Sequence, residues 1–473
     1  MSPVARVEES VKGAQRFGLS RSEQPTVIYL DDAYNLDQVQ RHSAPKPAQG
    51  CVGGRAMSGS AELVSFLKSV DSAVRRGNGA GLATLLALPL DGRQGSDKQL
   101  LSQANARGSN LVDFCRSHLS ESTAFLASIV ASRLLSEFHL TAGDIVLAFR
   151  HEHAAYNAMF DRFLALDGAD TPAGMPLFVR VSNDLRVLAA LTDANQASES
   201  YDYLREALHD LTKAFSSLFK DRTPVSSPQS KKRAILAAVN VLFKVYFRLN
   251  TLHLCSRSIS LVEGPGRVTD DLSCFPACDV ATYKYYIGRL KMYEDKYEDA
   301  RECLRFALRH TPAASLRNRQ RILATLVPVE MTLGVMPSPL VGSRYGLHEY
   351  VTLAAAARKG DLKTFNAVFY ANRRVFIKLG VYLVLEQVRA IAYRNLFKRF
   401  HHISSSTRLS IGAFEAALHS MDLDVDMDEV ECILANLIYQ QKIRGYLLHQ
   451  KRILVISKSD PFPANAIVKR AKL

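Results

Sequence analysis

The sequence contains no tryptophan and no run of about 20 apolar residues, the length that a helix needs to cross a membrane. A membrane span is therefore not expected. The start of the chain carries several charges and lacks an apolar stretch, which argues against a secretory signal. Phosphate-cradling glycine loops and the patterns GxSxG and HExxH are also missing. No catalytic motif remains, and we expect that the protein is not an enzyme.

Cysteine is scarce and odd in number, with seven residues scattered over the chain. Scattered thiols are typical of the cytosol or the nucleus rather than of a disulfide framework. Cys274 and Cys278 are a close pair, but a zinc site needs two more ligands, and the nearest upstream are His253 and Cys255. We therefore expect no metal or other cofactor. The segment HEH at 151–153 is interpreted as a surface patch at a helix start.

Acidic residues are outnumbered, since 60 Lys and Arg stand against 46 Asp and Glu. The net charge is +14 and the isoelectric point is near 9.4. This excess favours an anionic partner, either nucleic acid or an acidic protein, although a basic surface also keeps a helical protein soluble. At 473 residues the chain has room for two or three domains.

Helical periodicity dominates the chain after a tail at residues 1–57, whose Ser, Gly, Pro and charged residues predict disorder. In the segment ELVSFLKSVDSAV, which follows, apolar residues recur at the helical period. The same pattern predicts further helices at 109–137, 143–166, 176–194, 199–220 and 233–262. Clusters of Gly, Pro and Ser separate these helices, and no region before residue 440 is rich in strand signals.

Two helix pairs have the spacing of tetratricopeptide repeats. The first, at 280–312, carries the small and apolar anchors of such a pair: Gly288, Ala300, Leu304, Ala307 and Pro312. Small residues let two antiparallel helices approach closely, and the proline ends the second helix. A weaker copy follows at 347–378. The segment FIKLGVYLVLEQVRAIAYRNLFKRF then predicts one long helix, and a short polar link leads from it to Leu409.

Residues 409–457 have the order helix, short link, helix and two strands joined by a tight polar turn, which is that of a winged helix. The predicted fold is all-α with a small α/β end, a tetratricopeptide-like helical solenoid capped by a winged-helix subdomain. The predicted segments are a disordered tail (1–57), an N-terminal helical region (58–230), the repeats (231–408), the winged helix (409–460) and a basic C-terminal tail (461–473).

The predicted wing and its surroundings are basic. Cations on a wing lie along a phosphate backbone and displace counterions, although a polar turn is also an ordinary solvated loop. The candidate nucleic-acid contacts are Lys442, Arg444, His449, Lys451, Arg452, Lys398 and Arg399. In the hairpin itself, alternation predicts a half-buried face formed by Tyr446, Leu448, Ile453 and Val455.

Acidic residues precede the second helix of the winged helix. An EF-hand is excluded because the loop lacks Gly at its sixth position and Glu at its twelfth. Acids at this place cap free N–H groups and are favoured by the helix dipole, and the alternative is a contact with a basic partner. The candidate partner contacts are Asp426, Asp428, Glu429 and Tyr446.

Helical repeats that end in a winged helix are the architecture of the PCI domain. The resemblance is more specific than this domain class, because the sequence resembles the PCI-domain-containing protein 2 family. The segments that carry the resemblance are LFKVYFRLNTLHLC, TYKYYIGR, VPVEMTLGVMP, AYRNLFKRF and DEVECILANLIYQQKIRGYLLHQKRILVISKSDPFP. The strong matches extend from about residue 233 to Pro463. Upstream, NDLRVLAALTDANQ is the best anchor, and the tail before residue 58 has no resemblance.

The resemblance implies a non-enzymatic adaptor of messenger RNA export, the PCI subunit of the second TREX transcription-export complex. It implies a place in the nucleus, including the nuclear pore, with some protein in the cytoplasm. In that family the PCI subunit pairs with a large PCI-containing scaffold subunit, winged helix against winged helix. A small acidic disordered subunit, shared with the proteasome lid, wraps around it, and the joined winged helices present a basic surface to RNA or DNA.

Two alternatives stay open at this point. The first is a structural subunit of a proteasome-lid or COP9-signalosome-like complex that binds no nucleic acid. The second is an enzyme within residues 58–230, a region in which the sequence assigns no function.

Overall fold

The structure is a computed structural model that describes five stretches of the chain: 61–91, 95–165, 171–196, 200–263 and 272–463. These residues form two compact units, of which the first ends at Val280 and the second begins at Ala281. The predicted tail at residues 1–57 lies outside the described residues, as does the C-terminal tail beyond Pro463. The predicted domain boundaries stay predictions.

The first unit is helical where the structure describes it. Its α-helices are α1 (Ala61–Arg75), α2 (Gly79–Leu85), α3 (Lys98–Arg107), α4 (Leu111–His118), α5 (Ala127–Ala142), α6 (Ile145–Ala165), α7 (Thr171–Asn195), α8 (Asp202–Leu218), α9 (Ile235–Arg248) and α10 (His253–Val262). From α5 to α8, each helix packs on the next one along the chain. On α1 the predicted apolar face is buried at Leu63, Leu67 and Val70.

Two of the predicted helices are each divided in the structure. The pattern at 109–137 covers α4 and most of α5, and the pattern at 233–262 covers α9 and α10. The second break falls at Asn250, whose left-handed backbone (φ +55°) a right-handed helix does not contain. Apolar periodicity continues across both breaks because the helices on either side all bury apolar side chains, so the pattern alone does not reveal the turn.

A buried ion network joins α5, α6 and α7. Arg133 contacts Glu152 at 2.5 Å and Asp184 at 2.7 Å, and Arg180 contacts Asp184 at 3.0 Å. The interpretation of HEH as a surface patch is wrong for Glu152, which is 0% exposed. The middle residue of the segment faces inward because residues one apart on a helix point in different directions. Burial raises the pKa of the Glu152 carboxyl.

The second unit continues the helices. After α11 (Ala277–Tyr293) come α12 (Tyr297–Arg309), α13 (Leu316–Thr332), α14 (Pro339–Tyr345), α15 (His348–Lys359), α16 (Leu362–Ala371), α17 (Arg373–Leu379) and α18 (Tyr382–Ser404). The predicted pair at 280–312 forms α11 and α12. A Cβ placed on Gly288 would lie 2.7 Å from Leu304 Cγ, which confirms that a small residue is needed there.

The predicted long helix before the winged helix is interrupted once. α17 ends at Leu379 and α18 begins at Tyr382, because Gly380 adopts a left-handed conformation (φ +72°). A Cβ at this position would collide with the Tyr293 hydroxyl, so the close approach also requires glycine. α18 then continues to Ser404, through half of the segment that was predicted to be a polar link.

The chain ends in a winged helix with the elements β1 (Arg408–Ser410), α19 (Ile411–His419), α20 (Met427–Tyr439), β2 (Gly445–Leu448) and β3 (Ile453–Ile456). β3 is the central strand and pairs antiparallel with both others. The strand β1 was not predicted. Phe414 of α19 packs on Phe397 and Phe400 of α18 with ring centroids 4.6 and 4.7 Å apart.

One apolar core extends from α11 to the winged helix, so the helical stack and its cap are continuous. The predicted fold class is confirmed, an all-α solenoid with a small α/β end. In the described ranges, no helix combines the length and apolar character that a membrane crossing requires.

Candidate functional site

The hairpin of the winged helix has the predicted alternation but the opposite phase. Leu454 and Ile456 are buried, whereas Tyr446 is 58% and Leu448 39% exposed. The prediction of a half-buried face is therefore wrong for Tyr446 and Leu448, whereas Ile453 and Val455 are half-buried. The cause is β1, which places Leu409 opposite Leu454 and so closes the core on that side of the sheet.

The other side of the sheet, which we call the outward sheet face, consists of Arg408, Tyr446, Leu448, Ile453 and Val455. Tyr446 lies opposite Val455, and Leu448 lies opposite Ile453. Residues directly opposite on antiparallel strands share one face, so these four side chains form a contiguous strip. A contiguous exposed apolar strip is typical of a protein-binding surface. Of the predicted partner contacts, Tyr446 belongs to this face.

The predicted acids lie at the start of α20 and have different roles. Asp426 is the N-cap, and its Oδ1 accepts a hydrogen bond from the Glu429 backbone N–H at 2.7 Å. The capping prediction is thus confirmed for Asp426. Asp428 turns instead to the wing of its own chain, where its Oδ1 lies 2.6 Å from Arg452 Nη1. Glu429 is exposed.

Two basic residues of the wing contact two acids of α20, and we call these four residues the wing cluster: His449, Arg452, Asp428 and Glu431. Arg452 Nη1 lies 3.0 Å from Glu431 Oε1, and His449 Nδ1 lies 2.7 Å from Glu431 Oε2. The hydrogen bond with His449 holds the pKa of the Glu431 carboxyl below its usual value. The sequence analysis missed Glu431, although it lies three residues after Asp428 and so on the same helix face.

The remaining wing cations differ in how accessible they are. Lys451 is exposed and has no ion pair among the described residues. Arg444 pairs with Asp460 at 3.1 Å. Lys442 is half-buried, and burial, helped by the nearby charge of Arg394, lowers its pKa to about 8. Lys451 is thus the cation of the predicted set that most readily meets an anion from solution.

The two predicted cations of α18 lie apart from the wing in sequence. Arg399 donates a hydrogen bond to the Lys359 backbone carbonyl at 2.7 Å. Lys398 is half-buried. Their neighbour Arg394 is buried and donates to the carbonyls of Phe462 and Pro463, so this part of α18 holds the end of the described chain in place. Across the described stretches, no group of three or more His, Cys, Asp or Glu residues is placed to hold a metal ion.

Comparison with known proteins identifies the family. The PCI domain family matches residues 365–458, from α16 to the end of the winged helix. The chain is 36% identical over 346 residues to the PCI domain-containing protein 2 homolog of Dictyostelium discoideum, which covers 71% of this chain and 78% of that protein. The chain belongs to the PCI domain-containing protein 2 family.

Two further relatives give similar values. The protein of Danio rerio is 34% identical over 340 residues, which covers 71% of this chain and 84% of the relative. Enhanced ethylene response protein 5 of Arabidopsis thaliana is 36% identical over 291 residues, 60% of this chain and 68% of its own. The resemblance found in the sequence is confirmed, and the protein is a PCI scaffold subunit whose domain implies assembly with other PCI subunits.

Proposed function

We propose that the protein is a non-enzymatic adaptor of messenger RNA export in the nucleus, where it couples transcription to export at the nuclear pore. The observation that carries the proposal is the extent of the similarity to PCI domain-containing protein 2. The alignments cover about 71% of the chain, whereas the PCI domain match alone is confined to residues 365–458. A role shared only with PCI proteins in general accounts for the second match but not for the first.

The outward sheet face is the proposed docking surface for the large PCI-containing scaffold subunit. Its support is the pairing of Tyr446 with Val455 and of Leu448 with Ile453, an apolar strip in which Tyr446 and Leu448 are exposed and their partners are half-buried. Burying such a strip against a second winged helix removes apolar surface from water. The excess of 14 positive charges supports a second partner, the small acidic disordered subunit of the family.

The wing is the proposed contact for RNA, or for DNA, through the phosphate backbone. Lys451 is the direct contact because it is exposed and carries no ion pair among the residues described. Arg452 and His449 reach a phosphate only when that anion displaces Asp428 and Glu431 from the wing cluster. The wing therefore binds by charge and not by base sequence, since its cations are not interleaved with aromatic side chains suited to base stacking.

The docking proposal is tested by co-purification with the PCI-containing scaffold subunit. Tyr446→Glu places a charge in the middle of the apolar strip, and we expect binding at least about tenfold weaker, as for other buried interface aromatics. The matched control is Tyr439→Glu, since Tyr439 is also in the winged helix and is 87% exposed at the end of α20. If both variants lose binding to the scaffold subunit equally, or if neither loses it, the assignment of the outward sheet face is contradicted.

RNA binding by the purified complex separates the proposal from its alternative. The alternative is a structural subunit of a proteasome-lid or COP9-signalosome-like complex without nucleic-acid binding. Backbone contacts strengthen as salt is lowered, because fewer counterions compete for the phosphates. RNA binding at low salt therefore supports the export adaptor. Its absence there favours the structural subunit.

A further inference from the structure

A shallow, open basic groove lies along one face of α8 in the first unit. Its volume is 460 Å³, and the residues that line it are Arg205, Leu208, His209, Thr212, Lys213 and Ser216. The three basic residues are exposed and recur at every fourth position. Residues four apart lie on one helix face, so Arg205, His209 and Lys213 form a line with axial steps of about 6 Å.

Two carboxylates of α8, Glu206 and Asp210, are engaged with the neighbouring helix α6 and not with this line. Glu206 pairs with Arg150 of α6 at 2.8 Å. Asp210 contacts His153, which is also in α6, at 2.5 Å.

Arg205, His209 and Lys213 have no ion pair within the described ranges. Asp202 is exposed in the first turn of α8, three residues before Arg205. Lys213 Nζ lies 5.7 Å from the centre of the Phe160 ring. Two of the acids of α8 are thus bound to α6, while Arg205, His209 and Lys213 stay exposed.

The line extends over two turns of the helix. Arg205 and Lys213 are eight residues apart, which is about 12 Å along the helix axis, and His209 lies between them. Lys220, which is exposed, follows the end of α8 by two residues. A compact anion occupies one of these positions, whereas a linear polyanion occupies all of them.

We propose that the α8 groove binds the phosphate backbone of single-stranded nucleic acid. Its lining of Arg, Lys and hydroxyl groups is the set of side chains that contacts phosphates in protein–nucleic acid complexes. An acidic protein segment fits less well, because such segments also dock apolar side chains and Leu208 is the one apolar residue in the lining. The lining holds no aromatic ring for base stacking, so the binding is independent of sequence.

This site does not depend on the function proposed for the winged helix. The groove lies in the first unit and the wing in the second, and they share no residue. Substitutions in α8 leave the outward sheet face and the wing cluster intact, so each proposal fails or succeeds by itself.

The test uses the full chain and a fluorescein-labelled oligouridylate, with binding followed by fluorescence anisotropy over a range of salt concentrations. The variant is Arg205→Gln with Lys213→Gln. Loss of two phosphate contacts on a single strand lowers the slope of log K against log salt by about 1.4, which is about 25-fold in affinity at about 0.1 M salt. A second variant, Arg205→Lys with Lys213→Arg, keeps both charges and is expected to bind nearly as the natural protein does.

The matched control is Lys68→Gln with Arg76→Gln, which removes the same charges from exposed positions without ion pairs in the first unit. Circular dichroism melting checks that each variant is folded. If the double variant does not fold, Lys213→Gln alone replaces it, and the expected change in slope is then half as large. An unchanged slope in the α8 variant overturns the proposal. Equal loss in the control overturns it too, since the effect then reports total charge. Loss of polyglutamate binding with unchanged oligouridylate binding assigns the groove to an acidic protein instead.

Discussion

Glu152 is a carboxyl group in the interior of the first unit, where its single cationic contact, Arg133, is shared with Asp184. The charge of Arg133 lowers the pKa of Glu152, but burial is the larger cause and raises it. Glu152 Oε2 has no hydrogen-bond partner among the described residues, which agrees with a carboxyl that is poorly compensated when ionised. At the wing the ratio of charges is reversed, because one half-buried cation, Arg452, contacts two carboxylates.

The raised pKa of Glu152 predicts a dependence of stability on pH. A carboxyl whose pKa rises from 4.5 to about 8 on folding stabilises the protein fully below pH 4.5 and loses that contribution as the pH rises toward 8. Glu152→Gln mimics the protonated form at every pH. We therefore expect the melting temperature of the natural protein, relative to that of Glu152→Gln, to fall as the pH is raised from about 5 to about 8.

The chain has no tryptophan whose fluorescence could report unfolding, so the melting temperature is measured by circular dichroism. The control is Glu206→Gln, which removes a carboxylate from the more exposed ion pair with Arg150. A constant difference between the natural protein and Glu152→Gln over this pH range would mean that Glu152 stays ionised in the folded protein.

At the scale of elements, close packing of α11 on α12 depends on Gly288. Ala300, Leu304 and Ala307 of α12 are fully buried against it, so Leu304 has little room to move. A Cβ on Gly288 would also lie 3.2 Å from the Ala300 carbonyl oxygen. The sequence predicted this contact correctly because the spacing of small residues is a local pattern within two neighbouring helices.

Gly288→Ala is expected to destabilise the protein by about 1 kcal/mol. Overpacking a core destabilises by about 1–3 kcal/mol. The higher helix propensity of alanine relative to glycine offsets about 1 kcal/mol of this cost. The matched control is Gly412→Ala in α19, where the new Cβ meets nothing closer than 3.7 Å. We expect that change to stabilise by about 0.4–1 kcal/mol. Denaturant unfolding measures both, and a stabilised Gly288→Ala would contradict the close approach of the two helices.

At the scale of the whole molecule, exposed basic residues without an ion pair lie in at least two places of the described chain. One is Lys451 at the wing, and the other is the line of Arg205, His209 and Lys213 on α8. Most of the other predicted wing cations are bound within the chain, to Asp428, Glu431 or Asp460. A count of basic residues near the wing therefore overstates the charge that a nucleic acid meets there.

If a single nucleic-acid strand contacts both places at once, their salt dependences add. Lys451→Gln is expected to lower the slope of log K against log salt by about 0.7, and the α8 variant by about 1.4. Combined in one chain, they should lower it by about 2.1, because sites that share no partners contribute independently. Anisotropy titrations with oligouridylate measure all three slopes. A combined slope no lower than that of the α8 variant alone would remove the wing from the RNA-binding surface.

The sequence by itself determined where most of the helices form and in what order, the winged helix at the end of a helical stack, and the family, but not the strand β1 or the breaks within three predicted helices. These properties depend on patterns within a few residues, such as the helical period, the turn glycines and the spacing of Gly288 and Ala300. The tertiary structure alone decided which hairpin face is buried, since an alternating pattern is the same for both phases and the choice depended on pairing with β1. It also decided which charges are free, because partners such as Asp428 and Arg452 lie 24 residues apart and only folding brings them into contact.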